Sequence, residues 1–309
     1  MTALVSAFAR AYHFQNSPVA IFQDPVAEQL LSQAEFAAIA ENMAGGIGFF
    51  NPDFTGDRER GLLWIVNNVL GPLPLGRSAF TEQALERAVS AGAEQYLILG
   101  AGFDSFSYRQ PYWAEHLEIF EVDLQLQLAE KQARLRQAAL KIPSNVSYVG
   151  ADFREKNWAD ALQADRHFTA NKISFCSLLG VTWYLEPEEF AGILRCLAAL
   201  LPQGSSLVFD YPNEHAQGET AGDSAQKQEL LVESAGVKKL PAYSYRELES
   251  LLSDYGFLIY EHLGPEEMER QYFGTYNAAY PDHPVRALKN ADYCLAVLKA
   301  ASLMTSSTF

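Results

Sequence analysis

Two short apolar runs, the first ending in glycines and the second in an acid, constrain this chain more than any other feature. The first run, YLIL, breaks at Gly100-Ala101-Gly102, and the second, IFEV, ends at Asp123. A buried strand that opens into glycines lets a ligand lie against the backbone, because glycine has no Cβ. An acid at the tip of the next strand can accept hydrogen bonds from a ribose diol. The pair predicts a nucleoside-containing ligand at the carboxyl ends of a parallel sheet.

Strands and helices alternate from about residue 95 onwards, which predicts an α/β fold with a mostly parallel sheet. We expect the last strand to be antiparallel, because a late pair of strands follows the fifth strand. The predicted strands cover residues 95–99, 117–122, 146–150, 173–178, 206–209, 257–263 and 293–299. The predicted helices among them cover residues 125–140 and 187–201, with a third opening at a capping box, Ser244 to Glu247, and ending near residue 255.

The first 93 residues contain no run typical of a strand. Apolar residues recur at helical spacing over 26–39, 61–69 and 82–90, with turn signals at 45–46, 51–52 and 71–74 between them. We therefore predict an N-terminal helical cap over residues 1–93 and a ligand-binding domain over 94–300. The predicted domain carries candidate lid insertions near 211–240, with a helical stretch near 225–234, and near 264–290. A flexible tail is expected over 301–309.

The charge balance limits the classes of partner. Of 309 residues, 23 are Lys or Arg and 38 are Asp or Glu, which gives a net charge of −15. This argues against nucleic acid and against an anionic membrane surface, since both attract basic proteins. The three cysteines form no CxxC pair, and the histidines and acids form no metal-binding pattern, so we expect no metal. With neither a signal peptide nor an apolar run of about 18 residues, we expect a cytoplasmic protein. Its oligomeric state is left open.

The glycine loop departs from the fingerprint of a nicotinamide-binding protein. That fingerprint has a third glycine, where this chain has Ser105, and the following residues, FSYRQP, open a helix poorly. The departure favours a ligand without a pyrophosphate. S-adenosylmethionine fits, because its methionine part can cross the glycine loop while its ribose reaches Asp123.

The ends of the third and fourth strands add to this hypothesis. Asp152 and Phe153 follow the third strand, where an acid can bind the exocyclic amine of adenine and a ring can cover its face. Alternatively, Asp152 caps a helix near Trp158. The fourth strand runs into LGVTWYL, which places backbone and small residues beside the sulfonium.

Four segments resemble the leucine carboxyl methyltransferase family, including its bacterial branch of small-molecule O-methyltransferases. They are LILGAGFDSFSYR (97–109), IFEVDLQLQLAEKQARL (119–135), YVGADFREKNWADAL (148–162) and LGVTWYLEPEEF (179–190), and SSLVFDYP (205–212) is similar to the family's fifth strand. The resemblance implies a class I S-adenosylmethionine-dependent methyltransferase with a Rossmann-like sheet. The cofactor-binding residues that it implies are Arg77 on the carboxylate, Gly100, Ala101, Gly102, Asp123, Leu124, Asp152, Phe153 and Leu179.

Leu179 departs from the family pattern, and two arginines are candidates for the cofactor carboxylate. Many family members have Glu where this chain has Leu179, so a carboxylate that would reach the cofactor is missing. The difference favours the bacterial branch over a protein-carboxyl substrate. Arg10 is a second candidate for binding the cofactor carboxylate. The alternative for Arg77 is a solvated surface arginine.

The chemistry expected is an in-line displacement at the methyl group, for which the acceptor oxygen must be aligned and water excluded. An ionised carboxylate needs no base, whereas a phenol or alcohol benefits from one. The candidate catalytic residues are His215, His13 and Tyr211. Aromatic residues that could wall an apolar acceptor pocket are Trp183, Tyr184, Tyr211, Tyr272, Phe273 and Tyr276.

The leading hypothesis is an S-adenosylmethionine-dependent O-methyltransferase acting on a carboxyl or hydroxyl oxygen of a small, secondary-metabolite-like molecule. The first alternative is an NAD(P)-dependent oxidoreductase, against which Ser105 stands. The second alternative is a non-catalytic protein that binds the cofactor or another protein, which Leu179 keeps open.

Overall fold

A computed structural model describes residues 2–216 and 241–299 of the chain. The greater part of the first predicted lid, with its helical stretch near 225–234, and the predicted tail lie outside these residues.

Among the described residues, seven strands form one sheet, in the order β3-β2-β1-β4-β5-β7-β6. Neighbours from β3 to β5 are parallel, and β7 lies antiparallel between β5 and β6. The predicted α/β fold with an antiparallel last strand is therefore confirmed. The strands are β1 (Gln95–Leu99), β2 (Glu118–Asp123), β3 (Val146–Gly150), β4 (Ser174–Leu178), β5 (Ser206–Pro212), β6 (Phe257–Leu263) and β7 (Ala291–Leu298).

Eleven α-helices occur in the described residues. They are α1 (Thr2–Asn16), α2 (Gln33–Gly45), α3 (Ile47–Phe50), α4 (Arg58–Ile65), α5 (Pro72–Ser90), α6 (Gln125–Gln137), α7 (Ala159–Gln163), α8 (Pro187–Leu200), α9 (Tyr245–Asp254), α10 (Pro265–Met268) and α11 (Gly274–Ala279). Two π-helical turns, Val66–Leu70 and Glu269–Phe273, follow α4 and α10. Short 3-10 turns lie at Ala27–Leu30, Phe106–Tyr108, Tyr112–Ala114, Thr182–Tyr184 and Glu214–Ala216.

The capping signals read from the sequence place the helix starts well. Ser244 and Glu247 form the predicted capping box at α9, with the Glu247 carboxylate accepting the Ser244 amide at 2.8 Å. Helix α8 begins at Pro187, and the Glu189 carboxylate accepts the Glu186 amide at 2.8 Å. Gly256, at a φ of +81°, lies beyond the end of α9 as expected.

Two predictions in the N-terminal part were wrong. The segment 71–74, GPLP, was expected to be a turn, but Pro72 and Pro74 lie in the first turn of α5, where a missing N–H costs nothing. The helix expected over 26–39 is divided, because Ser32 caps a new helix, α2, after the 3-10 turn Ala27–Leu30.

The core lies on both faces of the sheet. On one face, α7, α8 and α9 pack their apolar residues over β1, β2, β4 and β5. On the other, Phe80, Ala84 and Leu85 of α5 pack with Phe175 and Val208, and α11 and its preceding turn complete that layer. Helices α1 and α2 form a smaller cluster that includes Phe103, just after the glycine loop. The N-terminal helices thus reach the carboxyl ends of the strands, where the predicted site lies.

Candidate functional site

The glycine loop after β1 has the backbone that the sequence predicts. Gly100 has a φ of +76° and Gly102 a φ of +38°, both in the left-handed region that side chains disfavour. A Cβ on Gly100 would overlap the side chain of Val181, in the turn after β4. The absence of a side chain therefore brings the glycine loop against the β4 turn.

Asp123, at the end of β2, is bound to this loop. Its Oδ2 accepts the Gly102 amide at 2.8 Å and its Oδ1 accepts the Leu124 amide at 2.7 Å. Each carboxylate oxygen has a second lone pair, so the group can still accept hydrogen bonds from a diol. The structure places the acid and the loop together as the sequence predicts.

The segment after the loop is unsuited to a pyrophosphate. It forms only the 3-10 turn Phe106–Tyr108, so no α-helix begins at the glycines. Ser105, at the third glycine position of the nicotinamide fingerprint, is buried and its hydroxyl donates to Asp24 Oδ2 at 2.7 Å. The local structure thus supports the argument against a dinucleotide.

All three guanidinium nitrogens of Arg10 donate to groups of the protein. Its Nε donates to Asp24 at 2.8 Å, its Nη2 to the Phe103 carbonyl at 2.6 Å and its Nη1 to the Ser6 hydroxyl at 3.2 Å. Arg10 therefore joins α1 to the glycine loop, and the alternative that it replaces Arg77 on the cofactor is not supported.

Arg77, in α5, lies across the β4 turn. Its Nη2 donates to the Ser6 hydroxyl at 3.2 Å, and its Nη1 is 3.6 Å from Asp210 Oδ2. Only 16% of its side chain is exposed, so it is not a solvated surface arginine. Gly180, at a φ of +67°, makes this placement possible, because a Cβ there would overlap the guanidinium. Among the described residues, the Nε of Arg77 has no partner.

Asp210, in β5, is a site residue that the sequence analysis did not single out. It is fully buried, and its carboxylate accepts the Gly180 amide at 2.7 Å and Trp183 Nε1 at 2.7 Å. The signal available was an acid within the apolar run LVFDYP, since a charge in a buried strand must find partners.

The predicted adenine-binding residues lie after β3. Both oxygens of Asp152 accept hydrogen bonds from the Arg154 side chain, which lower the pKa of the carboxyl group. The alternative that Asp152 caps α7 is wrong, because its bonds go to Arg154 and not to that helix. Phe153 packs edge-on against Trp158, with ring centroids 5.1 Å apart. Leu179 lies half-buried in the turn after β4.

His13 is placed as a structural residue. It is 1% exposed, and its Nε2 accepts the Ile21 amide at 2.9 Å. Burial lowers the pKa of His13 to about 4. Because the lone pair that a base would use is already bonded, the structure argues against the predicted catalytic role.

The burial of His13 predicts a pH dependence of stability. Its pKa is about 4 when folded against about 6.5 when unfolded, so between these values the unfolded chain binds the extra proton. The free energy of unfolding should therefore fall as the pH drops from 6.5 to 4, by up to about 3 kcal/mol. The free energy of unfolding, measured with urea at each pH across this range, should change less steeply with pH for His13→Gln than for the wild type. The matched change at exposed His116, His116→Gln, should leave the slope unaltered, and equal slopes in all three proteins would contradict the assignment.

Tyr211 and His215 lie at the end of β5. The buried Tyr211 hydroxyl is 2.8 Å from His262 Nε2 and 3.4 Å from Asp292, and burial raises its pKa. It packs with α8 and α9, whereas Arg77 belongs to α5 on the other face of the sheet. His215 is exposed, and its backbone amide donates to Asn213. The structure thus separates Tyr211 from Arg77, and the catalytic role of His215 stays a prediction.

The predicted wall residues are divided among several places. Trp183 is partly exposed and bonded to Asp210, and Tyr184 is exposed. Tyr276 and Phe273 are buried in the layer with α5, and Tyr272 donates to Gln83 at 2.6 Å. Trp183 is the aromatic residue that the structure ties directly to the carboxylate beside Arg77.

The glycine loop adjoins the β4 turn, because Val181 packs on Gly100, and the turn adjoins Arg77, which packs on Gly180. A carboxylate at Asp123 and a guanidinium at Arg77, whose Nε has no partner among the described residues, fit a zwitterionic nucleoside such as S-adenosylmethionine. With the strand order described, these features define a class I methyltransferase.

Comparisons with known proteins support this class. The sequence pattern of the leucine carboxyl methyltransferase family matches residues 3–198. YktD of Bacillus subtilis, provisionally named an S-adenosyl-L-methionine-dependent methyltransferase, is 38% identical over 282 residues, which cover 89% of this chain and 91% of that protein. The chain therefore belongs to the leucine carboxyl methyltransferase family, and its activity is S-adenosylmethionine-dependent methyl transfer.

Solved structures confirm the fold. A provisionally assigned methyltransferase from Thermobifida fusca aligns with a TM-score of 0.55 and 16% identity, covering 96% of this chain and 94% of that one. A DUF574-family protein from Streptomyces avermitilis aligns with a TM-score of 0.57 and 15% identity, covering 96% and 97%. None of the helices in the described residues has the length and apolar character needed to cross a bilayer.

Proposed function

We propose that this protein transfers a methyl group to a carboxyl or hydroxyl oxygen of a small, secondary-metabolite-like molecule. The observation that supports its cofactor part is that the glycine loop, bound by Asp123, adjoins the turn on which Arg77 packs. Asp123 and the loop are joined at 2.8 Å, and Arg77 lies against Gly180 in the adjoining turn.

In this proposal the chain's own residues bind and orient the cofactor. Arg77 binds the methionine carboxylate through its unused donors, since a guanidinium matches a carboxylate fork. Asp123 accepts the ribose hydroxyls while it holds the Gly102 amide. Asp152 and Phe153 are assigned to the adenine, with Asp152 exchanging part of its bonding to Arg154. The cofactor supplies an electrophilic methyl group on a sulfonium.

Among the candidate bases, His13 argues for an acceptor that is already ionised, whereas His215 stays the candidate base for a phenol or alcohol. His13 has its Nε2 bonded to a backbone amide, and its low pKa reflects the cost of charging it in place. A carboxylate acceptor needs no base, so the site must only align its oxygen with the methyl group and exclude water. Trp183, partly exposed beside Arg77, is the wall residue that we assign to this acceptor.

Calorimetric titration of the wild type with S-adenosylmethionine and with NADH tests the cofactor assignment. We expect binding of S-adenosylmethionine with a Kd of the order of micromolar and no binding of NADH. Binding of NADH would favour the oxidoreductase, and binding of neither would favour the non-catalytic alternative.

Methyl-labelled S-adenosylmethionine, offered with a panel of carboxylic, phenolic and amine acceptors, tests the target atom. We expect labelled product from carboxylic or phenolic acceptors. Mild alkali separates the two, because a methyl ester releases labelled methanol and a methyl ether does not. Label found only on amines would contradict the assignment to oxygen.

A further inference from the structure

Asp210 is a buried carboxylate whose contacts come from two separate parts of the chain, the turn after β4 and helix α5. Its Oδ1 holds the Gly180 amide, and its Oδ2 holds the Trp183 indole and lies 3.6 Å from the Arg77 guanidinium. The Thr182 hydroxyl donates to its backbone carbonyl. The turn after β4 is therefore bound to β5 through both the side chain and the main chain of one residue.

The ion pair with Arg77 is the contact that burial makes necessary. The Asp210 side chain has no exposed surface, and a buried charge is strongly unfavourable unless it is paired and hydrogen-bonded. Arg77 depends on the pair as well, because its one hydrogen bond among the described residues is to the Ser6 hydroxyl at 3.2 Å. Without Asp210, the guanidinium would lack an ionic partner that fixes its direction.

The same carboxylate fixes the indole of Trp183. The 2.7 Å bond from Nε1 sets the plane of a ring that is partly exposed at the end of β4. Gly180, whose amide also donates to Asp210, has a φ of +67° and leaves room for the Arg77 guanidinium. One group thus orients a cation on the cofactor side and an aromatic ring on the acceptor side.

We propose that Asp210 is a positioning residue for methyl transfer, which holds the Arg77 guanidinium and the Trp183 indole in a fixed relative orientation. The proposal rests on the proposed function, since Arg77 is assigned there to the cofactor carboxylate. In-line displacement is sensitive to alignment, so a residue that orients both sides affects the reaction without touching either substrate.

A double-mutant cycle between Asp210 and Arg77 tests this role through binding alone. Calorimetry with S-adenosylmethionine is carried out on the wild type, Asp210→Asn, Arg77→Met and the double variant. We expect Asp210→Asn to weaken binding about tenfold and Arg77→Met somewhat more. The double variant should match Arg77→Met within about twofold, because Asp210 acts through Arg77.

A control variant and a second readout complete the cycle. Asp53→Asn, at an exposed position between α3 and α4, makes the same chemical change and should bind like the wild type. In the ligand-free protein, the emission of Trp183 is the difference between the fluorescence spectra recorded with and without the Trp183→Phe change. The maximum of this emission should differ between the wild-type and Asp210→Asn backgrounds. If Asp210→Asn does not fold, Trp183→Phe replaces it in the cycle. We expect Trp183→Phe to weaken the binding of S-adenosylmethionine less than tenfold, and to have no effect on binding in the Arg77→Met background.

The outcomes separate this inference from the proposed function. Losses that multiply in the double variant, or wild-type affinity in Asp210→Asn, would overturn the positioning role while leaving the cofactor assignment intact. An unchanged Trp183 emission would overturn the link to the acceptor side. No binding of S-adenosylmethionine by the wild type would overturn both proposals.

Discussion

Asp123→Ala is expected to weaken the binding of S-adenosylmethionine by about 1.5–3 kcal/mol, roughly 10- to 100-fold. The carboxylate accepts the Gly102 and Leu124 amides at 2.8 and 2.7 Å. Its removal therefore releases the glycine loop and also removes the hydrogen-bond acceptor for the ribose. Calorimetric titration of the folded variant measures the loss.

Two further variants define what the loss means. Asp123→Asn should fall between the wild type and Asp123→Ala, because its amide oxygen can still accept one of the two backbone N–H groups. Asp53→Ala removes a carboxylate at an exposed position and should bind normally. Wild-type affinity in Asp123→Ala would mean that the acid does not face the cofactor.

Glu121→Ala is expected to lower the free energy of unfolding by about 3–5 kcal/mol, the largest effect on stability that we predict. Glu121 in β2 and Lys131 in α6 form an ion pair at 2.8 Å, with neither side chain exposed. Burial raises the pKa of Glu121, and the Lys131 ammonium opposes that shift. Removing the acid leaves a buried ammonium without its counter-charge, which urea unfolding should register.

The paired variant distinguishes a lost charge from lost packing. Glu121→Met with Lys131→Met replaces both charges by apolar groups of similar size and should recover most of the stability. Lys131 Nζ also lies 3.5 Å from the Ala101 carbonyl, so the recovered protein should still bind the cofactor more weakly than the wild type. Glu41→Ala breaks an exposed pair with Arg58 and should cost far less. A double variant as unstable as Glu121→Ala would contradict this explanation.

The strands and their ligand-binding ends were predictable because their signals are local. β1, β3 and β6 begin and end where the apolar runs predict, and Gly100 and Gly102 have the positive φ angles that favour glycine. Asp123 could be found because an acid that follows a buried strand lies at the sheet edge by geometry alone.

The N-terminal helices were harder to predict, because proline carries two opposite local meanings. The segment that holds Pro72 and Pro74 has the composition of a turn, yet proline also suits the first turn of a helix. Whether the proline begins a helix or a turn depends on whether the residues that follow it can pack as a helix against an apolar layer. Phe80, Ala84 and Leu85 pack against the sheet in this way, and α5 therefore extends back to Pro72.

The roles of the charged side chains were decided by contacts between distant parts of the chain. The sequence made Arg77 the first candidate for the cofactor carboxylate and Arg10 the second. Asp24 and the Phe103 carbonyl bind Arg10, whereas the Nε of Arg77 has no partner among the described residues. His13 became structural because the amide of Ile21 folds back onto it.

By itself, the sequence determined the class of fold, the position of the glycine loop, the acid at Asp123 and the family, since these follow from apolar runs, backbone freedom and ordered motifs. The tertiary structure alone decided that Arg77 lies against the β4 turn and that Asp210 is the carboxylate beside it. Hydrogen bonds across a folded chain depend on distance and burial, and Ser6 and Arg77, for example, meet only after α1 and α5 have packed.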